Sequence, residues 1–261
     1  MTISTRTLKL LIISLTLLSC VAVMFIAPIS QDAAYHHFAD KRTLMMIPNF
    51  WNVVSNLGFL IVGICGLYQL WFTHSLRLVT AVKTSYIVFF AGVSLVAFGS
   101  AYYHRFPSNV TLVWDRLPMT LAFMALMSFS LAEFLSITWG RVVLWPLLLM
   151  GVISVVYWYW GELRGSGDLR FYALVQFLPM ILLLVLFTFG HRVFKDNSGY
   201  WWLLLAYLLA KVAEHFDIQI DQWTSGLMAG HALKHIFSAS GLWLLLRCFT
   251  KRTEAMSKTH G

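Results

Sequence analysis

Charge is scarce in this chain. Asp, Glu, Lys and Arg make up 11% of its 261 residues, against about a quarter in an ordinary soluble domain. So few charges cannot clothe a water-facing surface, which excludes a soluble globular protein. Cysteine is scarce too. Cys20, Cys65 and Cys248 all lie in or at the ends of apolar segments and form no CxxC, so they suggest no disulfide framework. No basic block with interleaved aromatics occurs, so the net charge of +8 is not the mark of a nucleic-acid-binding protein. There is no linker, no low-complexity stretch and no convincing internal repeat.

Apolar sequence is what the chain has in abundance. Hydrophobic residues make up 59% of it, and the mean hydropathy is +0.73. A membrane-spanning helix needs about 20 such residues. On that measure the chain reads as an all-α polytopic membrane helix bundle with eight spans, near 8–29, 50–72, 81–103, 111–133, 137–160, 171–190, 199–215 and 223–247. The first run follows Arg6 and Lys9, exceeds a signal-peptide core in length and has no clear small-x-small cleavage site, so it reads as a retained transmembrane helix. Tyr157 to Trp160 and Tyr200 to Trp202 mark interfacial belts.

Lys and Arg set the orientation. Arg6, Lys9, Arg77, Lys83, Arg141, Arg192, Lys195 and the C-terminal Arg247, Lys251, Arg252 and Lys258 fall on one side. Lys41, Arg42, Arg105, Arg164 and Arg170 fall on the other. Arg116, Lys211 and Lys234 lie within spans toward that second side and weaken the bias without reversing it. The bias places both termini in the cytoplasm.

Ionisable groups inside a bilayer are costly and mark functional sites. His231 and His235 are four residues apart, which puts both imidazoles on one helix face. Ser100 and His104 share the same spacing, and Asp115 follows across a short loop. The expected topology brings the end of the third span, the start of the fourth and the start of the eighth to the same non-cytoplasmic edge. Asp115 is expected in about the first turn of its helix, where the dipole favours the carboxylate. Three neutral imidazoles and a water make a tetrahedral zinc site with an open position. Zinc lowers the pKa of that water to about 7 and polarises a carbonyl oxygen. A neighbouring carboxylate such as Asp115 can act as general base, and a hydroxyl such as Ser100 can stabilise an oxyanion. Metal-assisted hydrolysis of an acyl bond is the chemistry this set suggests.

Asn49-Phe50-Trp51-Asn52-Val53-Val54-Ser55-Asn56, Ser100-xxx-His104, Asp115-Arg116-Leu117-Pro118-Met119 and His231-xxx-His235, in this order, resemble the alkaline ceramidase family of the wider CREST superfamily of membrane hydrolases. The resemblance covers roughly residues 40 to 250. Asp168-Leu169-Arg170 and Gln176-Phe177-Leu178-Pro179-Met180 look closer to bacterial members. The resemblance implies a seven-helix core over 31–250, preceded by a transmembrane anchor over 1–30 and followed by a cytoplasmic tail over 251–261. It implies Zn2+ on His104, His231 and His235, with Ser100 and Asp115 catalytic. It also implies a membrane lipid substrate, ceramide or a related N-acyl lipid, cleaved to a fatty acid and a sphingoid base. Other N-acyl lipids, phospholipid esters, and a receptor with a structural metal are the alternatives. An axial haem fits a histidine pair on one helix face less well.

Three departures stand out. Eukaryotic members bind Ca2+ through an acidic N-terminal cluster, but here Asn49 precedes Phe50 and only Asp32 and Asp40 are available upstream, which puts calcium in doubt. Arg116 follows Asp115 where an acidic residue is familiar. Lys234 adds a positive charge between the two histidines and is a candidate to face a lipid phosphate or carboxylate.

The remaining polar residues have plainer expectations. Glu214 and Asp217 flank His215 and either orient a ligand imidazole, pair with Lys211 or stand in water. His36, His37, His74, His191 and His260 are expected to be solvated. Asp40 is expected to pair with Lys41-Arg42, with a lid or cation-site role as the alternative. Asn49, Asn52 and Asn56 are expected to bond between helices. An acyl-lipid hydrolase also needs a lateral opening between helices and an apolar groove.

Overall fold

A computed structural model describes residues 3–255. Lys258 and His260, in the expected tail, lie outside the described residues. The described residues fold into ten α-helices: α1 (Thr5–Met24), α2 (Phe50–Val54), α3 (Leu57–Tyr68), α4 (Lys83–Arg105), α5 (Asn109–Phe134), α6 (Ile137–Glu162), α7 (Arg170–Phe189), α8 (Ser198–His215), α9 (Asp217–Trp223) and α10 (Gly230–Lys251). Helices α2 and α3 run on through a π-turn at Gln69–Thr73 as one rod. Among the described residues, six helical rods are long and apolar enough to cross a membrane. These are the rods built on α1, α2–α3, α4, α5, α6 and α7. The chain is therefore a helical, multi-pass membrane protein. Helices α8 and α10 are not among the six; they carry the polar residues Lys211, Glu214, His231, Lys234 and His235.

Helix α5 is the centre of the bundle. Of its most apolar stretch 72% is buried, against 11% for α1, and it packs on α4, α6 and α7. Helix α1 is an outlying rod that rests on α7 through Leu8 and Ile12. It starts under the Ser4 cap, whose hydroxyl accepts from the Thr7 N–H at 3.1 Å, a group that an uncapped helix start leaves unpaired. It stops at Met24, five residues short of the expected Ile29. Pro28 bars its predecessor from helical geometry, and the chain leaves the helix before it.

Close packing at the site's end of the bundle depends on two glycines. A Cβ on Gly99 would fall on the Trp114 carbonyl oxygen, so only glycine lets α4 approach α5 beside Ser100 and Asp115. A Cβ on Gly230 would fall on the Ala213 carbonyl oxygen, where α10 starts against α8. The last helix was expected to start near Trp223. It starts at Gly230, because Ser225 and Gly226 turn the chain with φ of 53° and 77°, and the Thr224 hydroxyl accepts from the Met228 N–H at 3.2 Å. Glycine takes that left-handed conformation at no steric cost.

The segment 25–49 forms a strap across the end of the bundle. Leu169 N–H donates to Ile29 C=O at 2.7 Å, Gln31 N–H to Glu162 Oε1 at 3.1 Å, and Ala39 N–H to Asp217 Oδ2 at 3.0 Å. The Arg42 guanidinium bonds the Gly226 carbonyl. These bonds tie the strap to α6, α7, α9 and the turn before α10.

The opposite end holds a buried ionic lock. Arg252 donates to both oxygens of Glu133, at 2.5 and 2.7 Å, and each side chain is 1% exposed or less. The Tyr200 hydroxyl donates to Glu133 at 2.8 Å, and Tyr86 donates to the other oxygen. Arg252 also donates to the Arg77 carbonyl and lies 3.7 Å from the Phe194 ring centre. Expected as part of a cytoplasmic tail, Arg252 is instead a structural residue. A buried carboxylate survives only when its lone pairs are met this fully.

Candidate metal centre

His104 sits in the last turn of α4. His231 and His235 occupy the first two turns of α10. The two helix ends meet, and one nitrogen from each ring lies within 4.8 Å of the others. Ring centres are 4.7 Å apart for His104 and His231, 5.0 Å for His104 and His235, and 5.2 Å for His231 and His235. All three side chains are buried. The i, i+4 spacing read in the sequence therefore does put two imidazoles at one place, and α4 supplies the third.

The hydrogen bonding shows what is missing. Among the described residues, neither ring nitrogen of His104 has a partner, nor does Nε2 of His231. Burying a polar atom unpaired costs about 1–3 kcal/mol, and such atoms call for an explanation in a folded protein; here they belong to two of the three rings that meet. A metal ion is the partner that three imidazole lone pairs can share, and the residues present fit one. His235 differs in one respect. Its Nδ1 lies 2.8 Å from the Ser55 hydroxyl, which leaves Nε2 as its ligand atom. Ser55 belongs to the motif that opens α2, and its role was not anticipated; a hydroxyl or carbonyl on a ligand's second nitrogen is a usual outer partner of a metal-binding imidazole.

Other groups hold the rings in place. The Phe38 ring, in the strap, packs edge-on against His104 at 4.7 Å and His231 at 4.9 Å. Asn49 adopts φ 49° and donates from Nδ2 to the His104 carbonyl at 2.7 Å. Asp217 accepts the His231 backbone N–H at 2.7 Å, so it positions the start of α10 rather than a ring. Glu214 bridges Lys211 at 2.8 Å and Lys234 at 2.7 Å. Lys234 is thus partnered by a carboxylate of its own chain.

Ser100 and Asp115 face each other across the α4–α5 contact. Both are buried, and both line a cavity of about 350 Å3 together with His235. Asp115 lies in the second turn of its helix, not the first. Helix α5 begins at Asn109 under the Ser108 cap, whose hydroxyl accepts from Thr111 N–H at 3.2 Å. The helix start therefore has its own cap, and the dipole's reach fades beyond the first turn.

The cavity has two ends. Ser100, Asp115, Arg116, Lys211, Glu214 and Lys234 form a polar end; Phe89, Phe123, Leu126, Met180, Leu203 and Leu242 form an apolar one. Helices α7 and α8 both line it yet touch each other little, whereas α8 packs along α10.

Several polar residues depart from expectation. His36 is not solvated: its ring bonds the Tyr103 hydroxyl at 3.0 Å and Asn109 at 2.9 Å. His37, His74 and His191 are exposed as expected. Asp40 makes the expected pair with Arg42, at 2.8 Å, but it is buried and also accepts the Trp51 N–H at 2.8 Å. Asp32 caps a short turn through the Ala34 N–H. Asn56 bonds the Asn52 carbonyl within its own segment, at 2.7 Å, rather than another helix.

Compared with known proteins, the chain matches no family model, no curated protein and no solved structure. The class that fold and site define is a helical membrane protein with a buried three-histidine centre able to hold a metal ion.

Proposed function

We propose that this chain is a zinc-dependent lipid amidase of the alkaline ceramidase type, resembling bacterial members. It hydrolyses the N-acyl bond of ceramide or a ceramide-like lipid to a fatty acid and a sphingoid base. The observation that carries this reading is the convergence of three buried imidazoles, one of which, His235, lines a cavity that also holds Ser100 and Asp115 and ends in apolar side chains.

His104, His231 and His235 hold the ion, and a set of neutral imidazoles without thiolates or extra carboxylates suits zinc. When bound, zinc acidifies a water and polarises the acyl carbonyl. Asp115 takes the proton released as the water oxygen bonds the acyl carbon, then delivers it to the departing nitrogen as the C–N bond breaks. Ser100 donates a hydrogen bond to the carbonyl oxygen as negative charge gathers there. The rings around Phe89 and Phe123 receive the hydrocarbon chain. The sparse contact between α7 and α8 supplies the lateral entry that a bilayer substrate needs. In this reading α8 and α10 complete eight spans, with seven in the core, both termini are cytoplasmic, and the centre lies toward the non-cytoplasmic side.

The test pairs metal content with product release. Detergent-purified protein is expected to hold about one zinc per chain and to release fatty acid from ceramide. Release from another N-acyl lipid or a phospholipid alone moves the substrate; zinc without release from any of them sinks the hydrolase.

A further inference from the structure

Arg116 lines the cavity, and the hydrolysis does not explain its surroundings. Its side chain is 5% exposed. The guanidinium lies 4.2 Å from the Trp158 ring centre, 4.6 Å from Tyr172 and 5.9 Å from Tyr35. One nitrogen, Nη2, donates to Gln31 Oε1 at 2.7 Å, while Nη1 has no partner. Among the described residues no carboxylate forms an ion pair with it, although every other cation lining the cavity has one: Lys211 and Lys234 share Glu214. A guanidinium is always charged, and a buried charge without a counter-ion is strongly unfavourable. Stacking on aromatic faces recovers only about 2 kcal/mol. The cavity wall also has three cations, Arg116, Lys211 and Lys234, against two carboxylates, Asp115 and Glu214.

The geometry points to Arg116 as the seat of an anionic oxygen group on the lipid, a carboxylate or a phosphate, next to the scissile bond. This rests on the cavity being a lipid site, and it narrows the substrate class from neutral ceramide to an anionic acyl lipid. The aromatic rings flank the guanidinium, and the buried Nη1 lacks the acceptor that a carboxylate or phosphate oxygen would supply. The strap supplies one of these rings through Tyr35 and binds the other nitrogen through Gln31. A bound headgroup would therefore also brace the strap over the metal centre.

The test uses full-length protein in detergent and ether-linked lipids, which present no acyl bond to cleave. Dialkylglycerol, its phosphate and its carboxymethyl ether, with equal chains, are compared by native mass spectrometry. One or both anionic lipids are expected to bind at least about tenfold more tightly than the neutral one, as a charge-assisted hydrogen bond implies. Which of the two binds separates phosphate from carboxylate. Arg116→Gln is expected to erase the preference while binding of the neutral lipid stays within about threefold, a factor too small for a lost charge-assisted bond. Arg116→Lys is expected to retain part of it. Equal binding of all three lipids to the unaltered protein overturns the assignment without any variant, as does a preference that survives in Arg116→Gln. Turnover reports separately: anionic binding without hydrolysis of any acyl lipid leaves this site standing and removes the amidase. Hydrolysis of ceramide with no anionic preference does the reverse.

Discussion

The Ser55 hydroxyl lies 2.8 Å from Nδ1 of His235. One end of the α2–α3 rod thereby sets the ring that α10 presents to the metal centre. Removing the hydroxyl leaves a buried nitrogen unpaired and the ring free to turn. Ser55→Ala is expected to weaken metal binding about 10- to 100-fold, read by titration against a chelator of known affinity. Unchanged affinity would mean that packing against Phe59, whose ring centre is 6.0 Å from that of His235, orients the imidazole alone.

The three imidazoles and the carboxylate are separable by what each loses. His104→Ala and His231→Ala are expected to abolish both the metal and turnover. Asp115→Asn is expected to keep the metal and lower turnover about 10²- to 10⁴-fold, the usual worth of a general base. Elemental analysis beside a fatty-acid assay checks both. Metal loss in the Asp115 variant would make that carboxylate a ligand.

Gly99 is the hinge pin of the α4–α5 contact. Gly99→Ala pushes a methyl group onto the Trp114 carbonyl oxygen and must separate the helices that carry Ser100 and Asp115. A cost of about 1–3 kcal/mol is expected, as for other overpacked positions, visible as a lower Tm in detergent together with lost turnover. A variant that melts and turns over like the parent would show that the two helices need not be this close.

At the far end, Glu133→Ala leaves Arg252 buried without its counter-ion, at an expected cost of about 3–5 kcal/mol. Replacing both partners with methionine is expected to recover only part of that loss: no charge is left behind, but the Tyr86 and Tyr200 hydroxyls lose their acceptor. Metal affinity should be the same in both, because neither residue reaches the histidines. Thermal melting and metal titration on the same samples check this.

Asp168 gives the strap a pH dependence. Its carboxylate accepts from the Arg170 side chain, and from the Arg170 and Ile29 backbone N–H groups. The Arg170 bond, with the backbone bonds behind it, holds its pKa below the ordinary carboxylate value. The stabilisation is therefore complete above that ordinary value and is lost as pH falls through the lower folded-state pKa. Hydrogen exchange at Ile29 and Gln31 is expected to accelerate relative to the helix interiors on acidification, and Asp168→Asn to show the acid behaviour already near neutral pH. An exchange ratio flat with pH would assign the strap's hold to Glu162 and Asp217 instead.

Composition and the 3.6-residue period determined much of this protein in one dimension. Too little charge for a water-facing surface, and repeated apolar runs, make it a helical membrane protein. Fourfold spacing puts Ser100 with His104, and His231 with His235, on shared faces, because neighbours along one helix are set by the helix itself. Partners between helices are another matter. They depend on how each rod is rotated and how far it slides, which follows from many interchangeable apolar contacts and from glycines such as Gly99 and Gly230. So only the tertiary structure decided that Ser55 would take the second nitrogen of His235, and that Asp217 would hold a backbone N–H while Glu214 claimed both lysines. It also turned Arg252 inward to Glu133 and stood Arg116 among three aromatic rings without a counter-ion.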